Sequence, residues 1–361
     1  MIPRLRSGIV LPDTMPTKRR ASTATRFPWA RLTDERLLDV RLCDLGLRLP
    51  DSPMQPFVDR LHKELNLAGM AFKPHFWLSN EWFTPDRVPG IAVAFYLAHP
   101  RLVELERSQM LEVEGGTPEW CMRILRHEAG HAFDNAYLLH RRRGYFELFG
   151  DYQEPYPESY KPRPYSRQFV VHLDMWYAQA HPAEDFAETF AVWLDPKSRW
   201  LRQYDGWPAA SKLLYVDELM REIGPRRPHV RTRRMTHTMR SLRMTLREHY
   251  TLKRAYYHRD HPRLYDRDLR RIFSDEPKYA NRPTAASFLR SVRPELRMMI
   301  SRWTGESQYI IDHTLADMIQ QVTRAKLRLS KPVAQAKIDV MMMLAVQTMN
   351  FLNDGRHRVM L

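Results

Sequence analysis

Cysteine is nearly absent. Only Cys43 and Cys121 occur in 361 residues, and no Cys-x-x-Cys pair exists. That excludes a disulfide framework or a cysteine zinc ribbon within the chain and suits a reducing cytoplasm; a single bridge between the two stays open. Long apolar runs are also missing. The longest, Ile91–Ala98 and Val340–Val346, fall far short of the roughly 20 residues of a membrane span. The N-terminus carries Arg4, Arg6, Lys18, Arg19 and Arg20 without a hydrophobic segment of signal-peptide length, so residues 1–28 are expected to form a mobile leader. Past Gly224 strand signals are lacking, and no helix-turn-helix or zinc-finger pattern accompanies the basic residues there. A soluble, cytoplasmic protein is the expectation.

The net charge of +15 is unevenly placed. Residues 1–224 hold 29 Lys/Arg and 30 Asp/Glu, whereas 225–361 hold 28 and 12. The Gly224-Pro225-Arg226-Arg227-Pro228 cluster between them predicts a domain boundary. The expected organisation is the leader, a catalytic domain over 29–224, and a basic helical region over 225–361. In the latter, Met235–Arg259, Ala285–Trp303, Tyr309–Leu329 and Pro332–Leu352 read as helices. Arg247, Tyr250, Lys253, Arg254, Tyr256 and Tyr257 interleave cations and aromatics there, the pattern of a surface for nucleic acid or another polyanion.

The front half is organised around His127-Glu128-Ala129-Gly130-His131. Residues four apart share a helical face, so His127 and His131 can hold one zinc ion, with Glu128 beside them as general base. Thr117 is a suitable N-cap and Pro118 suits a first turn, so a helix is predicted from there to about Leu139. Ahead of it, Asp34–Leu42 and Pro53–Leu67 read as helices, Ala71–Leu78 and Ile91–Ala98 as strands, and Asn80–Gly90 as a loop. The second of those strands offers an edge for an extended substrate. Phe146–Gln168, with four prolines and several tyrosines, reads as a loop that walls a cleft or covers surface. The predicted class is α+β: a zincin-like domain of a small sheet plus the His-Glu-x-x-His helix, followed by an all-α basic region.

A catalytic zinc takes three protein ligands and an open position. The metzincin third histidine is absent, because positions 134 and 137 hold Asp134 and Tyr137. Glu184 is the favoured third ligand, on a helix predicted to open at Pro182; Glu188, one turn on, is placed to orient a ligand histidine through its free N–H. Asp134, His140, His172 and His181 also stand as candidates, with Asp134 more naturally a hydrogen-bonding partner near the site than a ligand.

The pair of segments, His127–His131 and His181-Pro182-Ala183-Glu184-Asp185-Phe186-Ala187-Glu188-Thr189-Phe190, resembles the gluzincin metallopeptidases. The second is similar to a bacterial family of zinc-binding metallopeptidases and, more distantly, to the catalytic domain of lethal-factor-type toxin proteases. The resemblance covers about residues 30–224. It implies one zinc per chain on His127, His131 and Glu184, with Glu128 as base and Glu188 supporting a ligand. It also implies that Tyr177, seven residues before the ligand glutamate, faces the substrate carbonyl. The expected activity is zinc-dependent hydrolysis of peptide bonds in a peptide or protein. The alternative is a zinc-containing protein whose basic half binds nucleic acid or another polyanion, with peptidase activity absent or secondary. The zinc ribbon carried by many members is lacking, so no partner linked to it is implied.

Overall fold

The computed structural model describes residues 27–157, 160–258 and 266–353, and these are mostly helical. In chain order come α1 (Asp34–Leu38), α2 (Gln55–Leu67), β1 (His75–Ser79), β2 (Gly90–Ala94), α3 (Pro100–Met110), α4 (Pro118–Tyr137) and α5 (Arg143–Phe149). They are followed by α6 (Pro182–Leu194), α7 (Trp200–Gln203), α8 (Ala209–Ile223), α9 (Leu246–His258) and α10 (Asp266–Leu269). The chain continues through β3 (Phe273–Ser274), α11 (Ala285–Thr304), α12 (Gln308–Arg324), β4 (Arg328–Leu329) and α13 (Val333–Asn353). Helices with two small sheets fit an α+β layout. Among the described residues no helix is long and apolar enough to cross a membrane. Both cysteines are free thiols.

Local chemistry sets the two helices that matter most. The Thr117 hydroxyl accepts the Trp120 amide at 3.2 Å and Pro118 fills the first turn of α4. At α6 the cap is a histidine: His181 Nδ1 accepts the Ala183 amide at 3.1 Å, with Pro182 in the first turn. The two helices then pack unusually closely. A Cβ added at Gly130 would lie 2.7 Å from the Ala187 Cα, so only glycine lets α4 and α6 meet at this level. Phe133 on Phe190, with ring centroids 5.0 Å apart, continues the contact away from the histidines.

β1 and β2 are parallel, pairing His75 with Gly90 through Ser79 with Ala94. β2 stops at Ala94 and Phe95–Ala98 forms a 3-10 turn, so the apolar run divides between two conformations. The outer edge of β2 is not open to substrate at its centre. Phe83 and Ala92 exchange backbone hydrogen bonds of 2.9 and 3.4 Å across it.

Arg126, just before the first histidine, ties three helices together. Its guanidinium makes a two-pronged pair with Glu64 of α2 at 2.8 and 2.9 Å and reaches Asp195, past the end of α6, at 3.1 Å. Arg126 and Glu64 are both buried, so removing Arg126 leaves the Glu64 charge only its solvent-exposed partner Arg60, at 3.0 Å, to offset it. Arg126→Ala is expected to cost about 3–5 kcal/mol in denaturant unfolding. A loss below about 1 kcal/mol, the range of exposed pairs, would refute the burial argument.

The chain past Gly224 does not leave this core, and the expected boundary there is corrected. Met239, Leu242, Leu246 and Tyr250 lie in the same apolar cluster as Leu37, Leu61, Phe95 and Phe133. Backbone bonds stitch the two parts together. Leu42 N–H donates to Met244 at 3.0 Å, Cys43 N–H to Leu242 at 3.0 Å, and Leu246 N–H to Val40 at 2.9 Å. Proline and glycine at 224–228 make a surface turn, after which residues 229–245 run back along the sheet. Trp77 donates its indole N–H to the Thr236 carbonyl at 2.8 Å there. A separate apolar cluster involves α11, α12 and α13, and we propose that the chain divides beyond residue 258.

Other expectations shift as well. Helix begins only at Leu246, not Met235, and α5 occupies the start of the predicted proline-rich loop. The helical region contains a strand pair, with Phe273 opposite Leu329 and Ser274 opposite Arg328. The expected leader lies outside the described residues except at its end, where Phe27 packs on Trp29 and His99.

Candidate metal centre

α4 presents His127, Glu128 and His131, and α6 brings Glu184 and Glu188 against them across the Gly130–Ala187 approach. His127 Nε2, His131 Nε2 and Glu184 Oε2 form a triangle with sides of 3.1, 3.1 and 3.0 Å. Three ligands of a tetrahedral zinc at about 2.0–2.1 Å stand about 3.3 Å apart. The donor set, two imidazole nitrogens and a carboxylate oxygen, and its spacing therefore fit such an ion. Among the described residues this is the group of His, Cys, Asp and Glu side chains that could hold a metal.

The surrounding hydrogen bonds aim the donors. Glu188 Oε1 lies 2.8 Å from His127 Nδ1, and its Oε2 accepts the Leu173 amide at 2.7 Å. With Nδ1–H donating to that carboxylate, the lone pair of His127 is left on Nε2, pointing into the triangle. Thr84 donates its hydroxyl to Glu128 Oε2 at 2.7 Å, leaving the other carboxylate oxygen available. Tyr156 donates to Glu184 Oε1 at 2.7 Å, opposite the oxygen in the triangle.

Electrostatics follow from enclosing opposite charges together. Burial opposes charge on His127, but hydrogen bonds to Glu184 and Glu188 and their charges outweigh it and raise the imidazole to about 10; a metal bound in the triangle would take the place of the proton on Nε2. Burial also opposes ionisation of Glu184, yet His131 and His127 hold the carboxyl well below its usual range. Glu188 is lowered in the same way, chiefly through its hydrogen bond to His127 against burial. Tyr177 is pushed upward first by its burial and then by the Glu184 charge. Tyr156, more than half exposed but with its hydroxyl enclosed against Glu184, is raised by the same causes, so both phenols stay protonated and able to donate.

Tyr177 lies beside the triangle, its ring centroid 5.6 Å from that of His127. Met175 and Trp176 before it adopt left-handed backbone at φ 62° and 52°, kinking the segment so that Tyr177 turns inward. Asp134 does not join the site. Its carboxylate accepts the His140 amide at 2.7 Å and sits 3.0 Å from the His140 ring, a hydrogen-bonding part with a neighbour and not with a residue of the triangle. His172 and His181 are engaged away from the triangle. His172 Nε2 lies 3.0 Å from the Arg123 carbonyl, and His181 caps α6 while its Nε2 lies 2.8 Å from the Glu154 carbonyl.

Thr84 and Tyr156 are additions to the sequence-based set. Tyr156 stacks on His181 with centroids 3.9 Å apart, which holds its hydroxyl over Glu184. Tyr156→Phe removes one hydrogen bond behind a candidate ligand and is expected to weaken zinc binding by about tenfold, read by competition with a chromogenic chelator. Unchanged affinity would show that Tyr156 does not position Glu184.

The polyanion surface expected on α9 is not available as such. Arg247 pairs with Glu35 and Asp39 at 2.7 and 2.8 Å, and Lys253 is buried against Glu81 and Glu106 at 3.0 and 3.1 Å. Tyr250 is in the first core and Arg254 is bonded to Gln109.

Two imidazoles and one carboxylate that could hold a metal ion are thus what the geometry brings together. Residues 120–199, under a quarter of the chain, match the family model described as "Putative zinc-binding metallo-peptidase". That segment contains the three candidate ligands, Glu128, Tyr156, Tyr177 and Glu188. No curated protein and no solved structure matches.

Proposed function

We propose that the chain is a zinc-dependent peptidase with one zinc held by His127, His131 and Glu184. The triangle of donors beside an uncoordinated carboxylate, Glu128, is the observation that supports it most. Two histidines on one helix and a glutamate from a later one is the gluzincin ligand order, and a ligand set closed by Glu188 and Tyr156 accords with it. The distant likeness to lethal-factor-type domains enters through the place of Tyr177 alone.

Zinc bound there supplies Lewis acidity, which acidifies water and polarises a carbonyl. Glu128, fixed by Thr84, takes the proton of the attacking water and delivers it to the leaving amine. Tyr177, protonated and turned inward, donates to the carbonyl oxygen as negative charge develops on it. Glu188 holds the His127 ring in one tautomer. A purely structural site has no use for an acid in the position of Glu128. Metal analysis of the purified protein and digestion of a peptide library with and without chelator test the reading: about one zinc per chain and chelator-sensitive cleavage are expected. Cleavage that persists after complete metal removal would overturn it.

A further inference from the structure

Trp120 and Ile124 lie two turns and one turn ahead of His127 and Glu128 on the same side of α4. They floor a cleft of about 620 Å³ that runs away from the metal centre. Leu173–Tyr177 form one wall, and the α11–α12 turn, Ser301–Ser307, forms the other. That turn is tightly seated, since a Cβ at Gly305 would lie 2.7 Å from the Met175 sulfur. Tyr177 marks the end near the histidines. It is 5% exposed, it lines the cleft, and its hydroxyl makes no hydrogen bond among the described residues.

At the other end the cleft shares Glu112, Glu114, Trp120, Tyr257 and Ser307 with a recess of about 70 Å³. Three carboxyls line that recess, Glu106, Glu112 and Glu114, against one ammonium, Lys253. Lys253 is already paired with Glu81 and Glu106. Among the described residues Glu112 and Glu114 have no ion pair. Both side chains are half-buried; burial raises their carboxyls to about 7 and about 8, opposed at Glu112 by a hydrogen bond from the Gln308 backbone and at Glu114 by the Lys253 charge. Arg302 and Asp174 line the outer cleft, the latter 3.4 Å from Arg123. Trp176 and Trp303 also line it, and their faces suit an approaching organic cation. The Lys253 ammonium disfavours a divalent ion in the recess, whereas tryptophan and tyrosine walls suit an alkyl stem with one positive charge.

We propose that this cleft receives a lysine or arginine side chain of the peptide substrate, its stem along Trp120 and its cation between Glu112 and Glu114. The proposal rests on the peptidase reading and adds a substrate class to it, peptides with a basic residue on one side of the scissile bond.

The test uses the full-length zinc-loaded chain and a peptide set in which lysine, norleucine or acetyl-lysine is placed at each position in turn. At one position lysine is expected to exceed norleucine and acetyl-lysine by about tenfold or more in kcat/KM, about 1.4 kcal/mol. Glu112→Gln/Glu114→Gln, or either single change if the pair does not fold, is expected to bring that ratio toward one. A wild-type ratio near one at every position, or a ratio untouched by the Gln changes, overturns the proposal. Calorimetric binding of the same peptides to Glu128→Gln reads the cleft without turnover. Failure to cut any peptide while lysine peptides bind tightest would count against the peptidase reading alone; equal binding of all three would sink the cleft assignment.

Discussion

Glu184→Ala is expected to lower zinc affinity by at least about 100-fold, because it leaves two imidazoles where three donors converged. The Tyr156 hydroxyl would lose its acceptor as well. Glu188→Ala should do less, about 10–100-fold, since it frees His127 Nδ1 and the Leu173 amide but removes no donor from the triangle. Asp134→Ala should retain zinc, because that carboxylate serves His140. Competition against a chromogenic chelator ranks the three variants. Zinc lost with Asp134→Ala and kept with Glu184→Ala would overturn the ligand assignment.

Glu128→Gln is expected to leave zinc bound and to lower kcat by about 10²–10⁴-fold or more, the contribution of a positioned acid–base group. The amide keeps the size of the carboxylate and can still accept from Thr84, so the pocket should hold its shape while losing its base. Metal content measured beside kcat separates the loss of chemistry from a loss of metal. Turnover equal to wild type would mean that another group moves the proton.

The parts legible in the sequence were those whose signals are local. Thr117-Pro118 and His181-Pro182 start helices through bonds within one turn; of the stripe expected at Phe186, Phe190 and Trp193, the two phenylalanines are buried, while Trp193 is half-exposed and Leu194 is buried beside it. The i, i+4 pairs His127/His131 and Glu184/Glu188 likewise show which side chains share a face. Thr84 and Tyr156 carry no such signal. Each is a lone polar residue in a loop, and its role arises from where the loop comes to rest. The charge step at residue 224 was misleading for a related reason: a Pro/Gly cluster marks a turn as readily as a linker. What decides between them is the packing of Leu246 and Tyr250, whose partners are remote in sequence.

During synthesis the chain leaves the ribosome from its N-terminus, so His127, His131 and Glu184 emerge before Leu242–Leu246. Val40 and Cys43 must wait for backbone partners in that later segment, and the Arg247–Glu35 pair closes a span of 212 residues. Contacts this distant in sequence form slowly. The nascent chain therefore exposes its ligand helices while the core beneath them is still open, a state vulnerable to aggregation and to chaperone capture. Closure of the first core, and with it a fixed spacing of the three donors, waits until Met239–Tyr250 have emerged.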